Sequence, residues 1–230
     1  MSKITTLGIA KAGGIVLAGT LVAHILNYGF ALGMARILVP NDYASLVTMI
    51  AIITIISIPL RTATTIAAKY TSFILQEYAS YVRATLIIGI GLLGIYLCFT
   101  PWLASWLTIS PAAFFAIAPI IVVIPLLSMN MGLIQGMRRV AIFSWVPAAE
   151  AASKLIFAAL FITTGYLVYG ALSAITLTVV ISCIVTAWIV AREHTHVQKT
   201  EEWRSSAGSI LVSSIAIAFL GNMDVLAAKH

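Results

Sequence analysis

Charged side chains are scarce in this chain, and three of them stand inside apolar stretches. Glu150 and Lys154 lie four residues apart within the run from Val140 to Thr164. That spacing puts both on one helix face, in the order that favours an ion pair. Two chemistries fit: a structural pair that neutralises itself, or a carboxylate that takes up a coupling proton or ion beside a cation for substrate. Arg61 follows Pro59 in another apolar run, about 27 Å of helix from Tyr43 at about 1.5 Å per residue. A guanidinium there either snorkels to headgroups or lines a wet cavity and meets an anionic headgroup. His24 and Asn27 share a helix face at i, i+3, which suits interhelical hydrogen bonds or a proton relay. Asn130 and Gln135 have the same packing chemistry, and Asn222 and Asp224 put a polar pair into the last apolar run.

Catalytic and metal chemistry find no support. The chain has no Gly-rich phosphate loop, no Ser-x-x-Lys and no paired aspartates, so an ATPase or other enzyme is not expected. Cys98 and Cys183 sit in separate apolar runs, and no Cys/His pair has metal-ligand spacing. Both cysteines read as packing residues, and no metal or cofactor is expected.

The elements that position these residues are membrane helices. Of 230 residues, 61% are hydrophobic and 9% are charged, where soluble domains carry roughly a quarter charged residues. Thirteen basic and seven acidic side chains cannot coat a water-soluble surface of this size. A net charge of +6 in so apolar a chain reflects basic loops rather than a nucleic-acid partner. The expected fold is therefore all-α, a polytopic bundle of about six transmembrane helices plus a seventh at the C-terminus, with membrane lipid as its surroundings.

A helix needs about 20 apolar residues to cross about 30 Å of hydrocarbon. Six spans meet that length, at about 13–35, 43–68, 84–100, 111–135, 140–164 and 166–191. Pro40 should stop the first span and Asn41 or Asp42 cap the second. Residues 69–83 read as a loop, partly helical at the interface. Pro101 to Trp106 reads as a boundary segment, since tryptophan suits the water–lipid interface. The six spans form one unit over residues 1–206. Residues 207–230 read as a seventh helix, the start of a second bundle.

Charge sets the orientation. With the N-terminus in the cytoplasm, Lys3, Lys11, Lys69, Arg83, Arg138, Arg139, Arg192, Lys199 and Arg204 lie inside, and Arg36 alone lies outside. Basic residues concentrate on the cytoplasmic side of the cell membrane, so a cytoplasmic N-terminus follows. Gly29-x-x-x-Gly33 and Gly132-x-x-x-Gly136 permit close helix contact. Pro59, Pro119, Pro125 and Pro147 fall within spans, as hinges beside a cavity or as simple kinks.

Four segments carry a family resemblance. They are Ala35-Arg-Ile-Leu-Val-Pro-Asn-Asp-Tyr-Ala44, the span end Thr-Ile-Ala-Ala-Lys69-Tyr, Leu133-Ile-Gln-Gly-Met-Arg-Arg139 and Gly221-Asn-Met-Asp-Val-Leu226. In order and spacing they resemble polysaccharide biosynthesis (Wzx-type) flippases of the multidrug/oligosaccharidyl-lipid/polysaccharide (MOP) exporter superfamily, N-terminal half. Ala44 stands where family members often carry Gly, and the 69–83 loop is short; both bear on substrate class more than on fold. The resemblance implies two six-helix bundles around a cavity that opens to alternate sides, with this chain supplying the first. The missing C-terminal half, or a second copy, would complete the transporter.

The implied activity is ion-coupled export of a lipid-linked oligosaccharide. Arg61, Lys154, Asn27 and His24 are the candidate cavity residues, and Glu150 and Asp224 the candidate ion carriers. The alternatives are a multidrug/cation antiporter of the same superfamily, which calls for acidic rather than basic cavity residues, and a membrane-embedded cell-envelope glycosyltransferase or polymerase. The latter needs a large polar loop with clustered Asp, Arg or His, which 1–230 lacks. A non-transporting scaffold would leave Arg61 and the Glu150–Lys154 pair without a role.

Overall fold

Proline sets two of the helix starts. Pro40 and Pro111 occupy the first turns of their helices, where a missing N–H costs nothing and a fixed φ is already helical. In the computed structural model, which describes residues 6–193 and the side chains from residue 12 onward apart from those of Pro59, Arg61 and Thr62, seven α-helices follow in order. They are α1 (Thr6–Ile37), α2 (Pro40–Lys69), α3 (Thr71–Gln76), α4 (Tyr78–Leu107), α5 (Pro111–Gly136), α6 (Val140–Thr163) and α7 (Leu167–Glu193). Six of them are long and apolar enough to cross a membrane, all but α3. The described residues are all-helical, and the chain is a multi-pass membrane protein. The expected seventh span, and with it the 207–230 unit, lies outside the described residues.

Three local expectations need correction. Helix α2 begins at Pro40 with Val39 as its cap, so neither Asn41 nor Asp42 caps it. Asp42 instead lies in the first turn, where a carboxylate faces the positive end of the helix dipole. Residues 69–83 are mostly helical, being the short α3 and the early start of α4. Helix α4 also continues through Pro101 to Leu107, so the tryptophan segment is helix rather than a separate boundary stretch. Its exposed Trp102 and Trp106 rings stack with centroids 5.7 Å apart, one helical turn from each other. The helix ends at Thr108, whose φ of 54° turns the chain, while Ser110 caps α5 by accepting from the Ala112 N–H. Gly165, at φ +90°, makes the α6–α7 turn in a conformation that other residues avoid.

Helix α5 is the hub. It packs against α2, α4 and α7, while α1 runs along α6, and α7 joins α6 to α5. Side chains from three directions serve its carbonyls: Thr64 of α2 donates to Ser128, Thr176 of α7 to Ala116, and the Cys183 thiol to Val123. These donors bracket Pro119 and Pro125, which break the α5 backbone ladder. Cys183 thus packs inside the bundle as expected, whereas Cys98 is exposed; neither is in a disulfide. Asn130 is fully buried and accepts from the Tyr78 hydroxyl at 3.0 Å, which ties the start of α4 to α5. Gln135 is exposed, and its side chain makes no hydrogen bond with another described residue.

The two glycine pairs part company here. A Cβ at Gly132 would stand 2.2 Å from the Thr64 carbonyl oxygen, and one at Gly136 would stand 2.5 Å from that of Ala68. The α2–α5 contact therefore depends on this pair. A Cβ at Gly29 or Gly33 meets nothing within 4 Å, so that pair makes no helix contact. Gly132→Ala should destabilise the bundle by about 1–3 kcal/mol through forced separation of α2 from α5. Gly29→Ala and Gly33→Ala should be stable within about 0.5 kcal/mol. Thermal denaturation of the three variants in detergent measures the contrast, and equal midpoints would contradict it.

Candidate functional site

Helices α1 and α2 converge at their connecting turn, where Phe30, Met34, Leu38, Leu46 and Met49 share one core cluster. Beyond that turn they make little contact, since α1 follows α6 while α2 follows α5 and touches α7. Helices α6 and α7 thus link α1 to α2 away from the turn, while apolar packing joins α1 and α2 at the turn itself.

The polar residues of this region come from α1, α6 and α7. Ser144 of α6 donates to the Ile15 carbonyl of α1 at 2.8 Å, beside Gly19, whose missing side chain lets the helices approach. Nearly three turns further along α6, Lys154 donates through Nζ to Asn27 Oδ1 of α1. Its ammonium also lies 4.7 Å from the centroid of the buried Phe30 ring, a cation–π distance. The Asn27 amide N–H donates to the Ala23 carbonyl at 2.9 Å, which fixes the amide so that its oxygen is presented to Lys154. Lysine is thus held by a neutral acceptor and an aromatic face.

Glu150 stands on the same face of α6 and looks the other way, toward the Ser182 hydroxyl of α7. Glu150 and Lys154 influence each other electrostatically but do not form an ion pair within 4.0 Å. The close pair expected from their i, i+4 spacing is therefore not the arrangement found. The competing partners across the helix interfaces prevail: Asn27 and Phe30 draw the lysine to α1, and Ser182 lies beside the carboxylate on α7. Both side chains are half-buried.

Other candidates fare differently. His24 is exposed on α1 and makes no hydrogen bond with another described residue, so neither the interhelical bond nor a relay partner is found for it. Arg61 belongs to α2, eight residues before its end at Lys69, and its side chain is outside the described set. At about 1.5 Å per residue, Arg61 stands ~12 Å, Glu150 ~15 Å and Lys154 ~21 Å from the ends of their helices nearest the α5–α6 turn. Their depths agree to within two helical turns. Asp224 and Asn222 lie outside the described residues. No group of three or more metal-ligating side chains occurs among the described residues.

Sequence reading missed Phe30 and Ser182. Neither carries a signal by type or spacing, because each matters only through a contact more than 30 residues or 120 residues away in the chain.

No protein-family model matches the chain, and no curated protein matches it by sequence. Solved structures do match by shape. A MOP superfamily transporter from Pyrococcus furiosus aligns with a TM-score of 0.69 and 15% identity, over 96% of this chain and 53% of that one. A MATE protein in its straight conformation aligns with a TM-score of 0.68 and 16% identity, over 95% and 52% of the two chains. An outward-facing multidrug resistance MATE family transporter of the MOP superfamily aligns at 0.65 and 16%, over 95% and 52%. The chain spans about half the length of each solved structure. Its fold matches that of one half of these MOP superfamily transporters.

Proposed function

We propose that this chain forms one bundle of a membrane transporter that exports an anionic lipid-linked substrate, an oligosaccharide carried on a phosphate-bearing lipid. The observation that carries the reading is the unpaired state of Lys154. An ammonium offers three donors, and Asn27 takes one of them. With no carboxylate within 4.0 Å among the described residues, its charge stays available to a phosphate that enters a cleft between α1 and α2. Arg61, at a neighbouring depth, supplies a second cation along the same route, and Glu150, set apart from Lys154, is the candidate coupling carboxylate. A complementary bundle, from the same polypeptide or from a second copy, would close the other side of the cavity and allow alternating access.

The multidrug/cation antiporter reading rests on likeness to the MATE structures. Pocket chemistry varies on this fold, since the Pyrococcus furiosus transporter is described as having a binding pocket of reverse polarity and a different function. In this chain the intramembrane side chain of α6 that meets Asn27 of α1 is cationic, and that favours an anion.

Asn27→Asp tests the reading at constant shape. A carboxylate in place of the amide would pair with Lys154 and cancel its charge. Export of surface polysaccharide in a flippase-null strain should fall at least about tenfold, the loss of one charge-assisted contact, while the amount of protein in the membrane stays the same. Undiminished export by Asn27→Asp would sink the anion reading.

The orientation proposed here has the N-terminus in the cytoplasm of a cell-membrane protein. Single cysteines at Asn41 and Thr164, in a background lacking Cys98 and Cys183, should react with an impermeant thiol reagent added outside intact cells. A cysteine at Ser80 should react only after the cells are opened. The reverse pattern would invert the topology.

A further inference from the structure

Arginines collect where α5, α6 and α7 end on the same side of the bundle. Arg138 and Arg139 form the α5–α6 turn, and Arg192 stands in the last turn of α7. Arg139 pairs with Glu193, which ties the turn to the end of α7 and brings three arginine positions to one corner of the bundle. That pair neutralises itself. Arg138 and Arg192 have no carboxylate partner, so two charges at this corner are uncompensated among the described residues.

The Arg192 side chain is held by a ring, and the Arg138 backbone is fixed by a turn. The Arg192 guanidinium lies 3.6 Å from the centroid of the Trp188 ring, one turn earlier on α7. Stacking on an indole leaves the edge of the guanidinium, with its donors, facing outward. Arg138 adopts a φ of 59°, imposed by the closing turn in which the Met137, Arg138 and Arg139 N–H groups return to the Leu133, Gln135 and Ile134 carbonyls. The helix face above this corner is apolar and uncovered: Ile181, Ile184, Val185 and Trp188 are exposed along α7. A cationic corner at the end of a span, continued upward by an apolar strip, is complementary to a lipid with an anionic headgroup and hydrocarbon tails.

We propose that Arg138, Arg192 and Trp188 form a binding site for an anionic phospholipid of the leaflet at this end of the bundle. The site is separate from the cleft and does not depend on the transport reading. Guanidinium groups reach the headgroup phosphate as forked donors. The Trp188 ring sits at the boundary level and the α7 strip carries an acyl chain. Electroneutral phospholipids present the same phosphate with a covering ammonium, so the site should discriminate by net charge.

The experiment uses the whole chain in mixed phosphatidylcholine–phosphatidylglycerol nanodiscs, with retained lipids counted by native mass spectrometry after mild delipidation. Wild-type protein should retain phosphatidylglycerol in preference to phosphatidylcholine. Arg192→Gln should lower that preference about fivefold, at the usual weight of one surface arginine near anionic lipid, and Arg138→Gln/Arg192→Gln should lower it about twenty-five-fold. Trp188→Phe should keep most of the preference and Trp188→Ala should lose it. Arg83→Gln, an exposed arginine at the start of α4, should change nothing. A loss with Arg83→Gln equal to that with Arg192→Gln would reduce the effect to general surface charge and overturn the site. So would a wild-type protein without lipid preference that acquires one in Glu201→Gln/Glu202→Gln, since the chain's own carboxylates would then occupy the corner.

Discussion

Lys154→Ala is expected to lower export of the lipid-linked substrate by about thirtyfold, and Lys154→Glu to abolish it. The first figure follows from the loss of one charge-assisted hydrogen bond, about 2 kcal/mol. The second adds repulsion between the new carboxylate and the substrate phosphate, and sets two acidic side chains four residues apart on α6. Lys154→Arg should retain most of the activity if the guanidinium still reaches Asn27, because the charge persists. Surface polysaccharide normalised to membrane protein measures all three. The lysine is not a stability element in this account: one neutral hydrogen-bond acceptor and one ring contact hold it. Insertion and thermal stability of Lys154→Ala should therefore stay near wild type, and a collapse of protein level would point to a structural role instead.

The second large effect belongs to Arg61. On the reading proposed above, Arg61 stands on the substrate route about one to two turns from Lys154 in depth. Arg61→Ala should abolish polymer export while the protein inserts normally. Arg61→Lys should keep part of the activity, since a compact ammonium retains charge but loses the forked geometry that suits phosphate. If the guanidinium instead snorkels to the headgroups, Ala is tolerated or stabilising, because a costly charge has left the membrane. Wild-type export by Arg61→Ala would leave Lys154 as the cation of the route.

Much of the bundle was legible because hydrophobic length and composition determine which segments cross a membrane. All six spans fall where apolar runs reach about 20 residues, with Pro40, Pro111 and Gly165 marking turns. Helix starts were less legible. At Pro40 a favourable φ let α2 begin one and two residues ahead of Asn41 and Asp42, the polar side chains that looked like its caps. Proline within a span did not end it either, as α4 continues through Pro101.

Side-chain partners were the least legible part. Glu150 and Lys154 have the spacing of an intrahelical pair, yet each turns to a neighbouring helix, a choice made by contacts that spacing within α6 does not encode. The glycine pairs make the same point. Gly132 and Gly136 meet α2, while Gly29 and Gly33, with identical spacing, face open space. A motif states what a helix face permits; the rotation of that face toward a neighbour is a property of the whole bundle. Asn27 shows the reverse case, a polar residue flagged by its intramembrane position that the structure does place beside the candidate cation.

The central claim is that the cleft selects an anion. Its most direct test is transport by the complete transporter in proteoliposomes, comparing a fluorescent polyprenyl diphosphate sugar with the cationic dye ethidium. The diphosphate lipid should be translocated by the wild type and left behind by Lys154→Ala and Asn27→Asp, and ethidium should not be transported. Ethidium transport that persists in Lys154→Ala, with the diphosphate lipid left in its original leaflet, would contradict the claim.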